Sequence, residues 1–167
     1  MTLATHSIVG ALVATSLAPV NPALAVVASF GSHFVLDALP HWDYKLGSMS
    51  RDEHHPIALT FAKDRRFLID LLKISCDMGL GLVGTFLVFE LLSLPFSIIA
   101  LMGLLAGVIP DFFQFVYSHF RIAPLRVLQR FHTWIHSDHR LDGRPYVGIG
   151  SQVMVVIVCV CLGFWYW

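Results

Sequence analysis

The chain has 167 residues and is strongly apolar, since 56% of its residues are hydrophobic and only 13% are charged. A water-soluble domain of this size needs more polar surface, so the composition predicts an integral membrane protein that forms a single domain over 1–167. The eleven acidic residues balance the eleven basic ones, which gives no electrostatic reason to expect a nucleic-acid partner.

Five apolar segments are predicted to be helical and to lie in the membrane: 7–18, 23–39, 67–92, 96–118 and 146–167. The first two are short, because a helix needs about 20 residues to cross the hydrocarbon core. They are joined by the turn Pro19-Val20-Asn21-Pro22, and we expect a tight helical hairpin there. The other three are long enough to span. The sequence therefore predicts an all-α fold, a polytopic membrane helical bundle.

The lysines and arginines are concentrated in two polar connections, 40–66 and 119–145, whereas the turns at 19–22 and 93–95 have none. The positive-inside rule then places both connections in the cytoplasm, with the N-terminus inside and the C-terminus outside. We expect a multi-pass protein of the inner (cytoplasmic) membrane, with the lipid bilayer as its partner.

The end of the second apolar segment carries a dense group of side chains that bind metals. His33 and Asp37 are four residues apart and share one face of the predicted helix. Pro40 then ends the helix, and His41 and Asp43 follow on the loop. Imidazole nitrogens and carboxylate oxygens so arranged suit a divalent metal, zinc first and manganese second. A simpler interpretation is a His–Asp pair at a helix end.

The predicted topology brings further histidines and aspartates to the same cytoplasmic end of the bundle. An unpaired ionisable group inside a span costs roughly 2.5–3.5 kcal/mol, and Lys73 is spaced to pair with Asp70 or Asp77. A bound divalent ion would stabilise the other carboxylates; the alternative is a water-filled cavity with protonated carboxyls. The predicted metal ligands are His6, His33, Asp37, Asp77, Asp111, His132 and His136.

The late histidines lie on a stretch with helical spacing, 125–137. His132 and His136 are four residues apart, so both can reach one metal ion, and His139 follows three residues later. An exposed basic helix with a few histidines is the alternative interpretation.

The fourth apolar segment contains Gly103-Leu-Leu-Ala-Gly107-Val-Ile-Pro110-Asp111. Its two glycines would let a neighbouring helix approach closely. Pro110 removes a backbone hydrogen bond directly before the aspartate, which predicts a kink beside the site.

Three motifs resemble those of a bacterial family of membrane-bound metal-dependent hydrolases. They are Thr5-His6 before a small-residue helix, the stretch that ends in Pro110-Asp111, and Phe131-His132-Thr-Trp-Ile-His136-Ser137. The family includes inner-membrane proteins regulated by the SOS repressor. It is distantly similar to zinc-dependent phospholipase C proteins, which are all-helical and build a metal cluster from His and Asp. The resemblance implies a metal-dependent hydrolase.

The chain departs from the family pattern twice. Phe112 and Phe113 follow Asp111 where the family continues to a second Asp and a His. The late histidines are spaced H-x3-H instead of H-x4-H, and the Arg-Gly between them is missing. The stretch Pro40-His41-Trp42-Asp43 is locally similar to the missing part.

Three functions remain open on the sequence. The first is a membrane-bound metal-dependent hydrolase that acts on a small-molecule or lipid-like substrate such as a phosphoester, with His41, Asp43 or Asp70 as catalytic residues. The second is a metal-ion or proton transporter, although the far halves of the long segments are nearly free of polar groups. The third is a non-enzymatic membrane protein with a structural metal site.

Overall fold

The computed structural model of the chain describes residues 1–52, 54, 57–137, 141 and 143–166, with side chains as far as residue 163. This part is built mainly from α-helices, which confirms the all-helical prediction in its main feature. The helices are α1 (Leu3–Leu17), α2 (Pro22–Asp37), α3 (Arg65–Leu91), α4 (Ile98–Phe120), α5 (Ala123–Ile135) and α6 (Pro145–Tyr166).

A short antiparallel hairpin lies between α2 and α3. Its strands are β1 (Met49–Arg51) and β2 (Leu59–Phe61), with Ser50 opposite Thr60. The sequence did not predict it, because three-residue strands are too short to show an alternation of apolar and polar residues.

Three helices are long and apolar enough to cross a membrane: Arg65–Leu91, Ile98–Phe120 and Pro145–Gly163. The other two apolar helices, α1 and α2, have only 15 and 16 residues. The five predicted apolar segments are thus all helical and correspond to three candidate spans and two shorter helices. This is consistent with a membrane protein.

Helix α1 lies at the centre of the bundle and packs against α2, α3, α4 and α6. Its approach to α4 is close because glycines face each other there. A Cβ atom added at Gly107 would lie 2.5 Å from the carbonyl oxygen of His6, and one added at Gly10 would lie 2.5 Å from the carbonyl oxygen of Gly103. The predicted role of Gly103 and Gly107 in close helix packing is confirmed.

Polar side chains begin three of the helices. The side chain of Asn21 accepts hydrogen bonds from the first amides of α2, with Pro22 at the first position, where a missing N–H costs nothing. Asp64 and Ser97 do the same for α3 and α4. Helix α4 continues through Pro110 and ends where Arg121 adopts a left-handed conformation with φ of 53°. Helix α5 begins two residues later and packs back on α4.

Candidate metal centre

Histidine and aspartate side chains gather around the carboxylate of Asp37, in the last turn of α2. Asp37 is almost fully buried. Its Oδ1 accepts a hydrogen bond from the Met1 ammonium nitrogen at 2.8 Å and lies 3.2 Å from Nε2 of His6. Its Oδ2 lies 3.1 Å from Nε2 of His33 and 3.0 Å from Nε2 of His132. Helices α1, α2 and α5 therefore meet at one carboxylate.

Asp111 of α4 completes a group of four side chains whose ligand atoms all lie within 4.8 Å of one another. The Asp111 Oδ1 atom is 3.6 Å from Nε2 of His33 and 3.8 Å from Nε2 of His132, and the two Nε2 atoms are 3.4 Å apart. His33, Asp37 and His132 are buried, whereas the side chain of Asp111 is 36% exposed. Three of the four side chains are thus buried, and the group is partly exposed only at Asp111.

These distances fit a small divalent ion. Ligand atoms around a tetrahedral zinc lie about 3.3 Å apart, because bonds of about 2.0–2.1 Å meet there at tetrahedral angles. Five of the separations among these ligand atoms run from 3.0 to 3.8 Å. Two imidazoles and two carboxylates are also a donor set that suits zinc or manganese. The residues present can therefore hold such an ion.

The ring of His33 is oriented by the backbone of α4. Its Nδ1–H donates to the carbonyl oxygen of Gly107 at 2.8 Å. In the neutral ring Nε2 then carries a lone pair that faces Oδ2 of Asp37. Two lone pairs at this distance repel each other unless a cation lies between them, either a proton on the ring or a metal ion. A second-sphere carbonyl that fixes the tautomer is typical of histidines that bind metals.

A second group of three shares Asp37 with the first and adds His41 and His136. The Nδ1–H of His41 donates to the carbonyl oxygen of Leu39 at 2.7 Å, and its buried Nε2 has no hydrogen-bond partner among the described residues. Burial lowers the pKa of His41 to about 4, so Nε2 is an unprotonated acceptor at neutral pH. The amide of Ser137 donates to the Asp37 carbonyl oxygen at 2.8 Å. This hydrogen bond holds the segment after α5 against the end of α2.

The structure places His6 beside this centre. Its ring stacks on that of His33 with 4.0 Å between the ring centroids. His6 belongs neither to the group of four possible ligands nor to the group of three. Its buried Nδ1 has no partner in the described part of the chain. His6 thus contacts the cluster through Asp37 and His33, and its ligand role stays a prediction.

The remaining predicted residues lie further out. Asp77 accepts the amide hydrogens of Leu3 and Ala4 at 2.7 and 3.1 Å.

Asp70 accepts hydrogen bonds from the amides of Gly47 and Ser48 and from the Ser48 hydroxyl, and Lys73 lies 3.3 Å away. It therefore anchors the loop before β1.

Asp43 lies 3.9 Å from the Met1 nitrogen, and burial raises the pKa of its carboxyl to about 6. Catalytic roles for Asp43 and Asp70 stay predictions, and His139 lies outside the described residues.

Two supporting groups of the centre are not predicted by the sequence. One is the Gly107 carbonyl, which no side-chain pattern reveals. The other is Gln152 of α6, which is buried, accepts from the Thr2 amide and hydroxyl, and donates to the Trp42 carbonyl oxygen at 2.8 Å. A lone glutamine in an otherwise apolar segment was the available signal.

No family model matches the chain, and no significant similarity to a curated protein or to a solved structure was found.

Proposed function

We propose that the chain is a membrane-bound metal-dependent hydrolase that acts on a phosphoester or lipid-like substrate at the cytoplasmic face of the inner membrane. The observation that carries the proposal is the convergence of His33, Asp37, Asp111 and His132 at separations that suit one divalent ion. Zinc is the ion expected first, and manganese second. The resemblance of the His6, Asp111 and His132 motifs to membrane-bound metal-dependent hydrolases supports the same reaction class.

The histidines and the aspartates would contribute differently to binding of the ion. His33 and His132 would each offer an imidazole Nε2, while the carboxylates of Asp37 and Asp111 would neutralise the charge of the ion in an apolar bundle. When bound, the ion would polarise a phosphoryl oxygen and lower the pKa of water. A catalytic zinc keeps a coordination position for water or substrate, or expands to five ligands, and in this centre the added ligand would enter beside the partly exposed Asp111.

His41 is the best placed proton acceptor in this proposal. Its Nδ1–H is fixed on the Leu39 carbonyl, its buried Nε2 has no hydrogen-bond partner among the described residues, and its ring is grouped with Asp37 and His136. A buried neutral imidazole can take a proton from an attacking water and return it to the leaving group. His136, whose ring centroid is 4.9 Å from that of His41, is positioned to orient it.

The orientation in the membrane rests on charge. The site lies at the end of the bundle from which the two basic connections emerge, and basic connections stay in the cytoplasm. A transport function has less support. Among the described residues, the half of α3 away from the site carries one ionisable side chain, Glu90, and it is exposed. A pathway for ions would need polar groups along the full depth of the bundle.

The test is metal analysis combined with a phosphoesterase screen on detergent-purified protein. We expect about one equivalent of zinc or more in the wild type, and metal-dependent cleavage of bis-(p-nitrophenyl) phosphate or of short-chain phospholipids. Asp111→Asn and Asp37→Asn should lose metal and activity, because each removes a charged ligand. Glu90→Gln changes an exposed carboxylate away from the site and serves as the matched control.

Two results would contradict the proposal. A wild-type protein that stays metal-free after incubation with zinc and dialysis would show that protons on the histidines, and not a metal ion, balance the charge of the carboxylates. Stoichiometric metal without hydrolysis of any phosphoester would favour the structural site.

A further inference from the structure

Helix α5 separates apolar and basic residues more strongly than the other helices. Val127, Phe131 and Trp134 follow each other at spacings of four and three residues and are 71, 42 and 74% exposed. Arg126 and Arg130 lie on the adjacent flank and are also exposed. The helix therefore presents an apolar stripe and a basic stripe outward, side by side.

The face of α5 toward the bundle is different. Gln129 and His132 are buried there, and His132 reaches Asp37 with its Nε2 atom at 3.0 Å. Phe131 also contacts the buried Phe34 of α2, with 5.0 Å between the ring centroids, whereas Val127 and Trp134 are mostly exposed. The outer part of the apolar stripe is thus left uncovered on the helix that supplies a residue of the metal centre.

The position of α5 follows from the end of α4. Asp111 and Phe120 are nine residues apart, as are Ala123 and His132, and each stretch is about 14 Å long. Because His132 Nε2 lies 3.8 Å from Asp111 Oδ1, α5 folds back beside the last turns of α4. Helix α4 is a candidate span, so α5 lies at the level where this span leaves the membrane.

We propose that α5 is an interfacial helix, whose partner is the headgroup layer of the bilayer, with Val127, Phe131 and Trp134 inserted at the acyl boundary and Arg126 and Arg130 among anionic headgroups. Helices of this kind bind by apolar burial plus attraction to anionic lipid. Trp is favoured at this depth, and Arg side chains extend from an apolar surface to the headgroups. Phe120, the last residue of α4, is also exposed.

The contact has a consequence for the site, which rests on the proposed metal centre. The bilayer surface holds the helix that presses His132 against Asp37. Membrane seating of α5 should therefore raise the affinity of the centre for its ion, and losing the contact should lower it.

The first experiment locates Trp134. The full chain is placed in nanodiscs that contain phospholipids brominated at shallow or deep acyl positions, and tryptophan quenching is compared between the wild type and Trp134→Phe. We expect the Trp134 contribution to be quenched most by the shallow bromines and little by aqueous iodide. Stronger quenching by iodide would place Trp134 in water, and no quenching by either would show that a protein covers it; both results overturn the proposal.

The second experiment measures the coupling. In nanodiscs with anionic lipid, Trp134→Glu should weaken zinc binding about five- to 150-fold, the usual range for coupled sites, whereas Trp134→Phe should bind as the wild type does. Equal zinc affinity of all three proteins would overturn the coupling. If the wild type binds no zinc, the proposed metal centre fails, and the quenching result alone decides the membrane contact.

Discussion

At the scale of single residues, Asp77 shows how a carboxylate in a candidate span is stabilised by main-chain amides, while its predicted role as a metal ligand stays a prediction. Thr2 makes no capping bond to α1, and Asp77 of α3 takes that place by accepting the amides of Leu3 and Ala4. The positive end of the helix dipole favours its charge. The sequence places Asp77 at the correct end of the bundle, but the two amides that it accepts are more than 70 residues away in the sequence, which no local pattern reveals.

We expect Asp77→Ala to lower the free energy of unfolding by about 1–3 kcal/mol, because two amide donors lose their acceptor. Asp77→Asn keeps one acceptor oxygen and should cost less. Thermal unfolding in detergent measures both effects, and zinc bound per folded molecule should match the wild type. If Asp77→Asn lost its metal at unchanged stability, Asp77 would be a ligand and the capping role would be secondary.

At the scale of elements, the contact between α1 and α4 sets the position of His33. Because Gly107 has no side chain, α1 comes close enough for the ring of His6 to stack on His33, whose Nδ1–H bonds the Gly107 carbonyl. The small-residue pattern of α4 predicted a close neighbour. The sequence did not identify α1 as that neighbour, because either of the two short apolar helices would have fitted equally well.

Gly107→Ala should therefore disturb both stability and metal binding. Its Cβ would lie 2.5 Å from the His6 carbonyl oxygen, so α1 must shift, at a typical cost of about 1–3 kcal/mol. The shift should also weaken zinc binding through His33, which isothermal titration would detect. Gly79→Ala in α3 is the matched control, since nothing lies within 4 Å of its added Cβ, and it should stabilise the helix by up to about 1 kcal/mol. Unchanged zinc affinity in Gly107→Ala would exclude this glycine from orienting the site.

At the scale of the whole molecule, hydropathy and charge were enough to predict the apolar helices and the end of the bundle where the polar residues gather. Apolar runs define helices locally, and the basic connections set a common direction for distant segments. The structure brings His33, Asp37, Asp111 and His132 together from three helices. Which histidines touch Asp37 depends on helix rotation and crossing, and these arise from packing that the sequence does not show.

A metal ion bound between α2, α4 and α5 would stabilise the whole bundle, because a ligand that binds only the folded state raises the free energy of unfolding. At a free zinc concentration of 100 times Kd the gain is about 2.7 kcal/mol. We expect chelation to lower Tm, zinc to restore it, and His132→Ala to abolish the response. His119→Ala, which changes an exposed histidine bonded to the Phe115 carbonyl, should respond as the wild type does. A wild type whose Tm ignores both chelator and zinc would mean that protons on the histidines, not an ion, balance the charge of Asp37.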